Sequence, residues 1–142
     1  PYWDSKATGI LCGITRTTNQ AEVARAALDS IAYQITDILK AMEDDSGISI
    51  QELRVDGGPT KNKYLMQFQS DIAGIPVKVP ASEEFSGIGA AYAAGIGLGI
   101  YDREALFSKQ QRTTYEPEME QEEVDIKYKG WKEAVGLVLK KS

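Results

Sequence analysis

The sequence has no histidine among its 142 residues and only one cysteine, Cys12. The absence of histidine removes the commonest general base from the chain, and a single cysteine excludes an intramolecular disulfide. Cys12 lies in the apolar run at 10–14, where a buried and unreactive thiol is expected. No apolar stretch approaches the ~20 residues that span a bilayer, and no signal peptide opens the chain, so we expect a reducing, cytoplasmic location.

An excess of positive charge is also lacking. Acidic residues outnumber basic residues 21 to 16, which gives a formal net charge of −5. This balance argues against nucleic acid or an anionic membrane surface as the main partner. Hydrophobic residues make up 42% of the chain and charged residues 26%, as in an ordinary soluble domain, and the length is sufficient for one buried core.

The sequence starts at Pro1 rather than at methionine, and nothing that would cap or lead into the first element precedes it. We therefore interpret residues 1–142 as part of one domain of a larger protein. Within this part we expect a core at 9–100, an acidic surface segment at 101–123 and a C-terminal helix at 124–142.

The first third of the sequence predicts a strand followed by a long helix. The run at 9–15, GILCGIT, is typical of a β-strand. Asn19 and Glu22 have the spacing of a capping box at the start of the helix, and Ser46-Gly47 ends it. The apolar face that we expect to be buried consists of Val23, Ala27, Ile31, Ile35, Ile38, Leu39 and Met42.

Short strands and helices alternate in the central part. A strand is predicted at 52–55, and a helix starts near Pro59. The expected core side of this helix consists of Leu65, Phe68 and Ile72. A further strand at 76–80 has a proline at each end and is therefore expected near a sheet edge.

A helix rich in glycine and alanine is predicted at 86–97. Glycine is unfavourable in a helix interior, so this helix indicates either tight packing on a sheet or a backbone kept clear for a ligand. Strands that alternate with helices indicate an α/β fold with a largely parallel sheet and right-handed crossovers.

The chain ends in an acidic run and a last helix. The run surrounds Pro117 and contains Glu116, Glu118, Glu120, Glu122 and Glu123. We interpret it as a solvated loop, with docking of a regulatory partner or another subunit as the weaker alternative. The apolar side of the last helix consists of Ile126, Trp131, Ala134, Val135 and Val138.

The candidate ligand site is Asp56-Gly57-Gly58, because it joins a predicted strand to a predicted helix. Glycine lets a ligand touch the backbone, and a helix start presents N–H groups and partial positive charge that favour a phosphate. Open α/β sheets bind ligands at this edge. Asn62, about one turn into the predicted helix, offers both a donor and an acceptor. A purely steric use of glycine in this turn is equally consistent with these residues.

Other patterns that carry chemistry are absent. No Gly-Lys-Ser/Thr follows the glycine pair, so the turn is not a Walker loop. The run at 87–92 begins like a dinucleotide fingerprint, but Tyr92 occupies its third small position. With no Cys/His cluster and no Ser/His/Asp set, we assign no catalytic and no metal-binding residue. Arg16, beside Thr15, suits a phosphate or a carboxylate ligand and a structural salt bridge equally well.

The motifs GILCGI at 9–14, EV at 22–23 and AALD at 26–29 match throughout the second signature of the FGGY carbohydrate kinases, which the chain therefore resembles. Within this family the resemblance is greatest to the members that phosphorylate glycerol. The similar stretches also include PYWD at 1–4, GITR at 13–16, SIAYQ at 30–34, LRVDGG at 53–58, LMQFQSDI at 65–72, GAAYAAG at 89–95 and YKGWKEAV at 128–135.

The resemblance implies an actin-like, ribonuclease-H-like ATPase fold, of which this chain is part of the C-terminal domain. It implies that ATP binds between two domains, with Gly58 and Asn62 lining the nucleotide and Gly57 shaping the turn. The helix at 87–97 is expected to pack beneath that turn. The Mg²⁺ ligands, the catalytic aspartate and the substrate-binding residues are implied to lie mainly outside this chain, so we expect the isolated chain to have no kinase activity.

The resemblance further implies phosphoryl transfer from Mg-ATP to a hydroxyl of glycerol, in a homo-oligomer with no nucleic-acid or membrane partner. Another polyol, a pentulose or an aldonate is the alternative substrate. Two alternatives belong to other classes of protein, namely a non-catalytic actin-like nucleotide-binding module and a degenerate paralogue of the kinases.

Overall fold

The computed structural model describes residues 2, 4–81, 85–102 and 112–139. The helices and strands of this part of the chain follow one another as α1 Gln20–Ser46, β1 Leu53–Arg54, a 3-10 helix at Gly58–Lys61, α2 Lys63–Ala73, β2 Val77–Pro80, α3 Phe85–Gly97, β3 Arg112–Tyr115 and α4 Gln121–Leu139.

The three strands form one sheet in the order β1-β2-β3. β1 and β2 are parallel, whereas β2 and β3 are antiparallel, so the described sheet is mixed and not largely parallel. β2 is the central strand, so the prediction that the strand with a proline at each end lies near an edge is wrong. Its prolines are tolerated because Pro80 pairs only at the last position of the ladder, and Pro76 contributes through its carbonyl, which accepts from the N–H of Leu53.

Helix α2 forms the centre of the core. It packs between α1 and the sheet, and it begins after the 3-10 helix at Lys63, later than its proline suggested. Its predicted core side is confirmed, because Leu65, Phe68 and Ile72 are buried. The other buried apolar residues are Ala32, Met66, Val77, Val79 and Val124.

Helix α1 begins and ends as its capping residues predict but buries a different face. Asn19 and Glu22 make the reciprocal capping bonds, and Gly47 ends the helix with a φ of 67°. The predicted apolar face is largely exposed, with Ile38 at 48% and Met42 at 55%. The prediction of its burial is wrong because α2 and α4 pack on the nearly opposite face, whose buried residues include Thr36 and Asp37.

Residues 9–15 do not form the predicted strand. A strand requires a neighbour for its backbone ladder, and this run pairs with none of the described strands. Ile10, Leu11 and Ile14 are exposed, and so is Cys12, which contradicts the expected buried thiol.

The acidic segment contains a strand and the start of the last helix. β3 lies within the segment expected at 101–123, and α4 begins at Gln121 instead of 124; residues 103–111 and 140–142 lie outside the described part. Oδ1 of Asp71 accepts from the backbone N–H groups of Glu118 at 2.8 Å and Met119 at 3.3 Å. Residues 116–120 thus form a loop with exposed glutamates, as interpreted from the sequence, but its backbone is bonded to Asp71 of α2, and Glu122 and Glu123 lie in α4.

Candidate functional site

The backbone of the candidate turn requires glycine at its centre. β1 ends at Arg54, and the N–H of Val55 still donates to the carbonyl of Lys78 at 3.2 Å. Gly57 then adopts φ 89° and ψ 178°, a conformation that residues with a side chain rarely occupy. Gly57 therefore shapes the turn, as predicted from the sequence.

The turn is fixed from its inner side and open on its outer side. The carbonyl of Gly57 accepts two hydrogen bonds from Thr60, from the backbone N–H at 3.1 Å and from the hydroxyl at 2.7 Å, and Thr60 is buried. Gly58 is exposed, and a Cβ placed on it would meet no atom within 4 Å apart from its chain neighbours. The structure therefore leaves room for a ligand against the backbone of Gly58.

Asn62 lies at the start of α2 and not one turn inside a helix. Its side-chain oxygen accepts from the N–H of Leu65 at 3.1 Å, and its carbonyl accepts from the N–H of Met66 at 3.1 Å. The oxygen of the carboxamide is thus used to cap α2, which leaves its NH₂ group to reach a ligand. One of the two lone pairs of this oxygen is used in the cap, and the donor and acceptor role of Asn62 toward a ligand stays a prediction. An asparagine before an amphipathic run is an N-cap signal, so the sequence contained the clue.

Two other features that the sequence singled out are the Thr15-Arg16 pair and the glycine-rich helix α3. Thr15 hydrogen-bonds Thr17 and Thr18, and Arg16 beside it is exposed. In α3, Gly95 is buried, and a Cβ placed on it would lie 2.2 Å from Cδ2 of Tyr101. At this position the absence of a side chain makes room for the ring of Tyr101, which follows the helix.

A tyrosine–aspartate pair that the sequence did not indicate ties α2 to α1 beside the turn. The hydroxyl of Tyr64 donates to Oδ1 of Asp29 at 2.5 Å and accepts from Nε of Arg25 at 2.8 Å. Burial and the bond to Asp29 raise the pKa of Tyr64 to about 12, although Arg25 acts in the opposite direction. The phenol is therefore neutral and donating at physiological pH.

A second buried carboxylate lies further along α1. The side chain of Asp37 is 2% exposed and accepts from Tyr128 at 2.5 Å, from Nε1 of Trp131 at 2.8 Å and from Lys132 at 3.3 Å. Burial opposes ionisation, but these hydrogen bonds and the charge of Lys132 together hold the pKa of Asp37 below its ordinary value. The group adjoins an apolar cleft of about 1000 Å³ between residues 7–12, α1 and α4.

The described residues include no group of three or more Cys, Asp or Glu side chains arranged to hold a metal ion. None of the helices in the described part has the length and apolar character needed to cross a membrane.

Comparison with known proteins identifies the class of domain. The model of the "FGGY family of carbohydrate kinases, C-terminal domain" matches residues 1–98. The chain is 49% identical over 137 residues to a glycerol kinase of Geobacillus sp. (strain WCH70) and 48% identical over 137 residues to one of Carboxydothermus hydrogenoformans. In each case the match covers 95% of this chain but only 28% or 27% of the relative, so the chain spans little more than a quarter of their length.

Solved structures give the same assignment. A Plasmodium falciparum glycerol kinase with ADP superposes with a TM-score of 0.86 at 33% identity, covering 98% of this chain and 28% of that one. A xylulose kinase from Rhodospirillum rubrum superposes with a TM-score of 0.77 at 23% identity, covering 94% of this chain and 28% of that one, and this likeness concerns the fold alone.

The chain belongs to the FGGY family of carbohydrate kinases, and the matched part is the C-terminal domain of that family. It is a partial α/β domain of the actin-like, ribonuclease-H-like class, which confirms the fold class and the resemblance inferred from the sequence.

Proposed function

We propose that this chain is the C-terminal, nucleotide-binding portion of an ATP-dependent kinase that converts glycerol to glycerol 3-phosphate. The observation that carries this proposal is the high identity to glycerol kinases, 49% and 48%, across nearly the whole chain. The likeness to the glycerol kinase with ADP, at 33% identity and a TM-score of 0.86, supports the same substrate.

The turn at 57–62 fits a nucleotide in three respects. Gly58 has no side chain on the outer face of the turn, so a ligand can lie directly against its backbone. The start of α2 supplies partial positive charge, which favours phosphate oxygens. The NH₂ group of Asn62, whose oxygen is held by Leu65, is oriented as a donor. We assign Gly57, Gly58 and Asn62 to this site, with Gly57 acting through the shape of the turn.

The chemistry is an in-line displacement, to which this chain contributes binding and orientation. Mg-ATP supplies the phosphoryl group, and the hydroxyl oxygen of glycerol forms a bond to the γ-phosphorus as the bond from that phosphorus to the bridging oxygen of ADP breaks. Gly58 and Asn62 hold the nucleotide in position against the backbone of the turn. We place the base that accepts the hydroxyl proton, the Mg²⁺ ligands and the glycerol contacts outside this chain.

A different acceptor is the alternative within the same family. The solved structures that share this fold include a xylulose kinase and a gluconate kinase, and the residues that select the acceptor lie outside this chain in our proposal. The non-catalytic module and the degenerate paralogue share the nucleotide turn but predict no phosphoryl transfer. Packing of α3 beneath the turn, a homo-oligomeric state, a cytoplasmic location and the absence of nucleic-acid and membrane partners all stay predictions.

The test is the production of ADP by the full-length protein from Mg-ATP with glycerol, other polyols, pentuloses and aldonates, with residues 1–142 alone as the control. We expect strong turnover with glycerol and none with the isolated chain. Turnover on a different acceptor only would overturn the substrate assignment. Nucleotide binding without turnover on any acceptor would favour the non-catalytic alternatives.

A further inference from the structure

We propose that Tyr64 is a positioning residue for the nucleotide turn, acting through its hydrogen bonds to Asp29 and Arg25 on α1. The inference rests on the proposed function, in which the turn at 57–62 contacts ATP. In this role Tyr64 holds the turn in place relative to the rest of the domain.

Tyr64 lies next to the part of α2 that would meet the ligand. It is the second residue of α2, and Asn62 is the N-cap of the same helix. Asn62 is bonded to Leu65 and Met66, so it moves with the first turn of α2. A displacement of that first turn therefore displaces the NH₂ group that we assign to the nucleotide.

The tether of Tyr64 to α1 is short and charge-assisted. Its hydroxyl donates to Oδ1 of Asp29 at 2.5 Å across 35 positions of sequence. Nε of Arg25 donates to the same hydroxyl at 2.8 Å, and the guanidinium carbon lies 4.8 Å from the centre of the tyrosine ring. Because the phenol both accepts and donates, its orientation is fixed from two sides.

The turn's own hydrogen bonds do not replace this tether. Thr60 bonds the carbonyl of Gly57, and the N–H of Asn62 donates to the carbonyl of Pro59 at 3.1 Å, so the turn is closed within itself. These bonds set its shape, whereas the bond from Tyr64 to Asp29 attaches the first turn of α2 to α1, in addition to the packing between the two helices. Removal of the phenol oxygen should therefore leave the turn intact but shift or loosen the nucleotide contact.

The chain offers a matched control in Tyr128, which donates to Asp37 at the same distance of 2.5 Å. This pair also joins a tyrosine of a following helix to an aspartate of α1. Asp37 lies eight residues beyond Asp29, which is roughly 12 Å along the helix axis. Tyr128→Phe removes the same chemical group from a residue of α4 instead of α2.

The experiment compares Tyr64→Phe, Asp29→Asn and Tyr128→Phe in the full-length protein. The dissociation constant of ATP is measured by titration calorimetry, the melting temperature by calorimetry, and kcat and both KM values by ADP production. Tyr64→Phe keeps the ring stacked on Phe68, whose centre is 5.8 Å away, so it is expected to fold. We expect it to weaken ATP binding by about fivefold to tenfold, the effect of losing roughly one hydrogen bond, with the KM of the acceptor unchanged.

Asp29→Asn should weaken ATP binding less, because an amide oxygen still accepts from the phenol, and it provides the test if Tyr64→Phe folds poorly. Tyr128→Phe should lower the melting temperature with ATP affinity within about twofold of the parent. Equal loss of affinity in Tyr64→Phe and Tyr128→Phe would show general destabilisation and overturn the proposal. Unchanged affinity in folded Tyr64→Phe and Asp29→Asn, beside weakened binding when Gly58→Val is combined with Pro59→Ala, would overturn the positioning role alone. Unchanged affinity in all of these, the variant that combines Gly58→Val with Pro59→Ala included, would overturn the proposed nucleotide site itself.

Discussion

The carboxylate of Asp37 accepts a hydrogen bond of 2.8 Å from the indole of Trp131, 94 positions later in the chain. The indole ring also stacks on Tyr33 of α1, with the ring centres 5.4 Å apart. α4, which lies beyond the part matched by the family model, is thus attached to α1 through a buried charge and a stacked aromatic pair.

Asp37→Asn is expected to lower the free energy of unfolding at neutral pH by about 2 kcal/mol, because the hydrogen bonds from Tyr128, Trp131 and Lys132 lose their ionised acceptor. Chemical denaturation at pH 7 measures this difference. Asp44→Asn, at an exposed position of the same helix, serves as the control and should have little effect.

The loss of stability that Asp37→Asn causes should be smaller at acidic pH than at neutral pH. The pKa of Asp37 is held below its ordinary value of 3.8, so its ionisation stabilises the fold above that value, and the stabilisation is lost as the pH falls through the lower folded-state pKa. The gap in stability between parent and variant should therefore narrow in acid-unfolding curves below about pH 4. A gap of constant size from neutral to strongly acidic pH would contradict the assignment.

Gly95→Ala is expected to destabilise the domain by about 1 kcal/mol, because the new Cβ displaces the ring of Tyr101. The displaced ring also leaves its edge-on contact with Tyr92, where the ring centres are 6.1 Å apart. Gly97→Ala in the same helix is the matched control, since a Cβ there meets nothing within 4 Å in the described structure. The control should be neutral or stabilising by up to roughly 1 kcal/mol from helix propensity. Equal shifts in the melting temperatures of the two variants would refute this explanation of the glycine at position 95.

Asp71→Asn should loosen the acidic segment from α2. The carboxylate accepts from the backbone of Glu118 and Met119 and from the side chain of Gln67, and the amide would weaken these bonds. Hydrogen exchange at Glu118 and Met119 is expected to accelerate, with a loss of stability of about 1–3 kcal/mol. Exchange rates that do not respond to Asp71→Asn would show that this carboxylate does not hold the segment.

Replacing the exposed side chains of Glu118, Glu120, Glu122 and Glu123 by glutamine should leave the assembly of the full-length protein with other subunits unchanged.

The parts of the structure that depend on residues close together in the sequence could be predicted from the sequence. The capping box at Asn19 and Glu22, the left-handed glycine at 47 and the buried side of α2 all follow from spacing within a few residues. The role of Gly57 in shaping the turn was implied by the resemblance to the FGGY kinases, and its φ of 89° gives the physical reason for glycine there.

Long-range relationships carried no such signal. The tyrosine–aspartate bonds join residues 35 and 91 positions apart, and no spacing rule predicts them. Periodicity correctly located an apolar face on α1, but it cannot say which face α2 and α4 cover. The run at 9–15 has the composition of a strand, yet a strand exists only where a ladder partner is present. The N-cap role of Asn62 has a local signal in the sequence, but placing the helix start near Pro59 instead of at Lys63 concealed it.

The most direct test of the account is the dissociation constant of ATP for the full-length protein carrying Gly58→Val together with Pro59→Ala. The second change is needed because a branched residue before proline disfavours the helical conformation in which Gly58 begins the 3-10 helix. Pro59→Ala alone is the control for the fold and for affinity. Valine at position 58 fills the outer face of the turn, so we expect roughly tenfold or weaker ATP binding with the melting temperature of the control. Affinity equal to that of Pro59→Ala in a folded protein would contradict the claim that the nucleotide lies against Gly58.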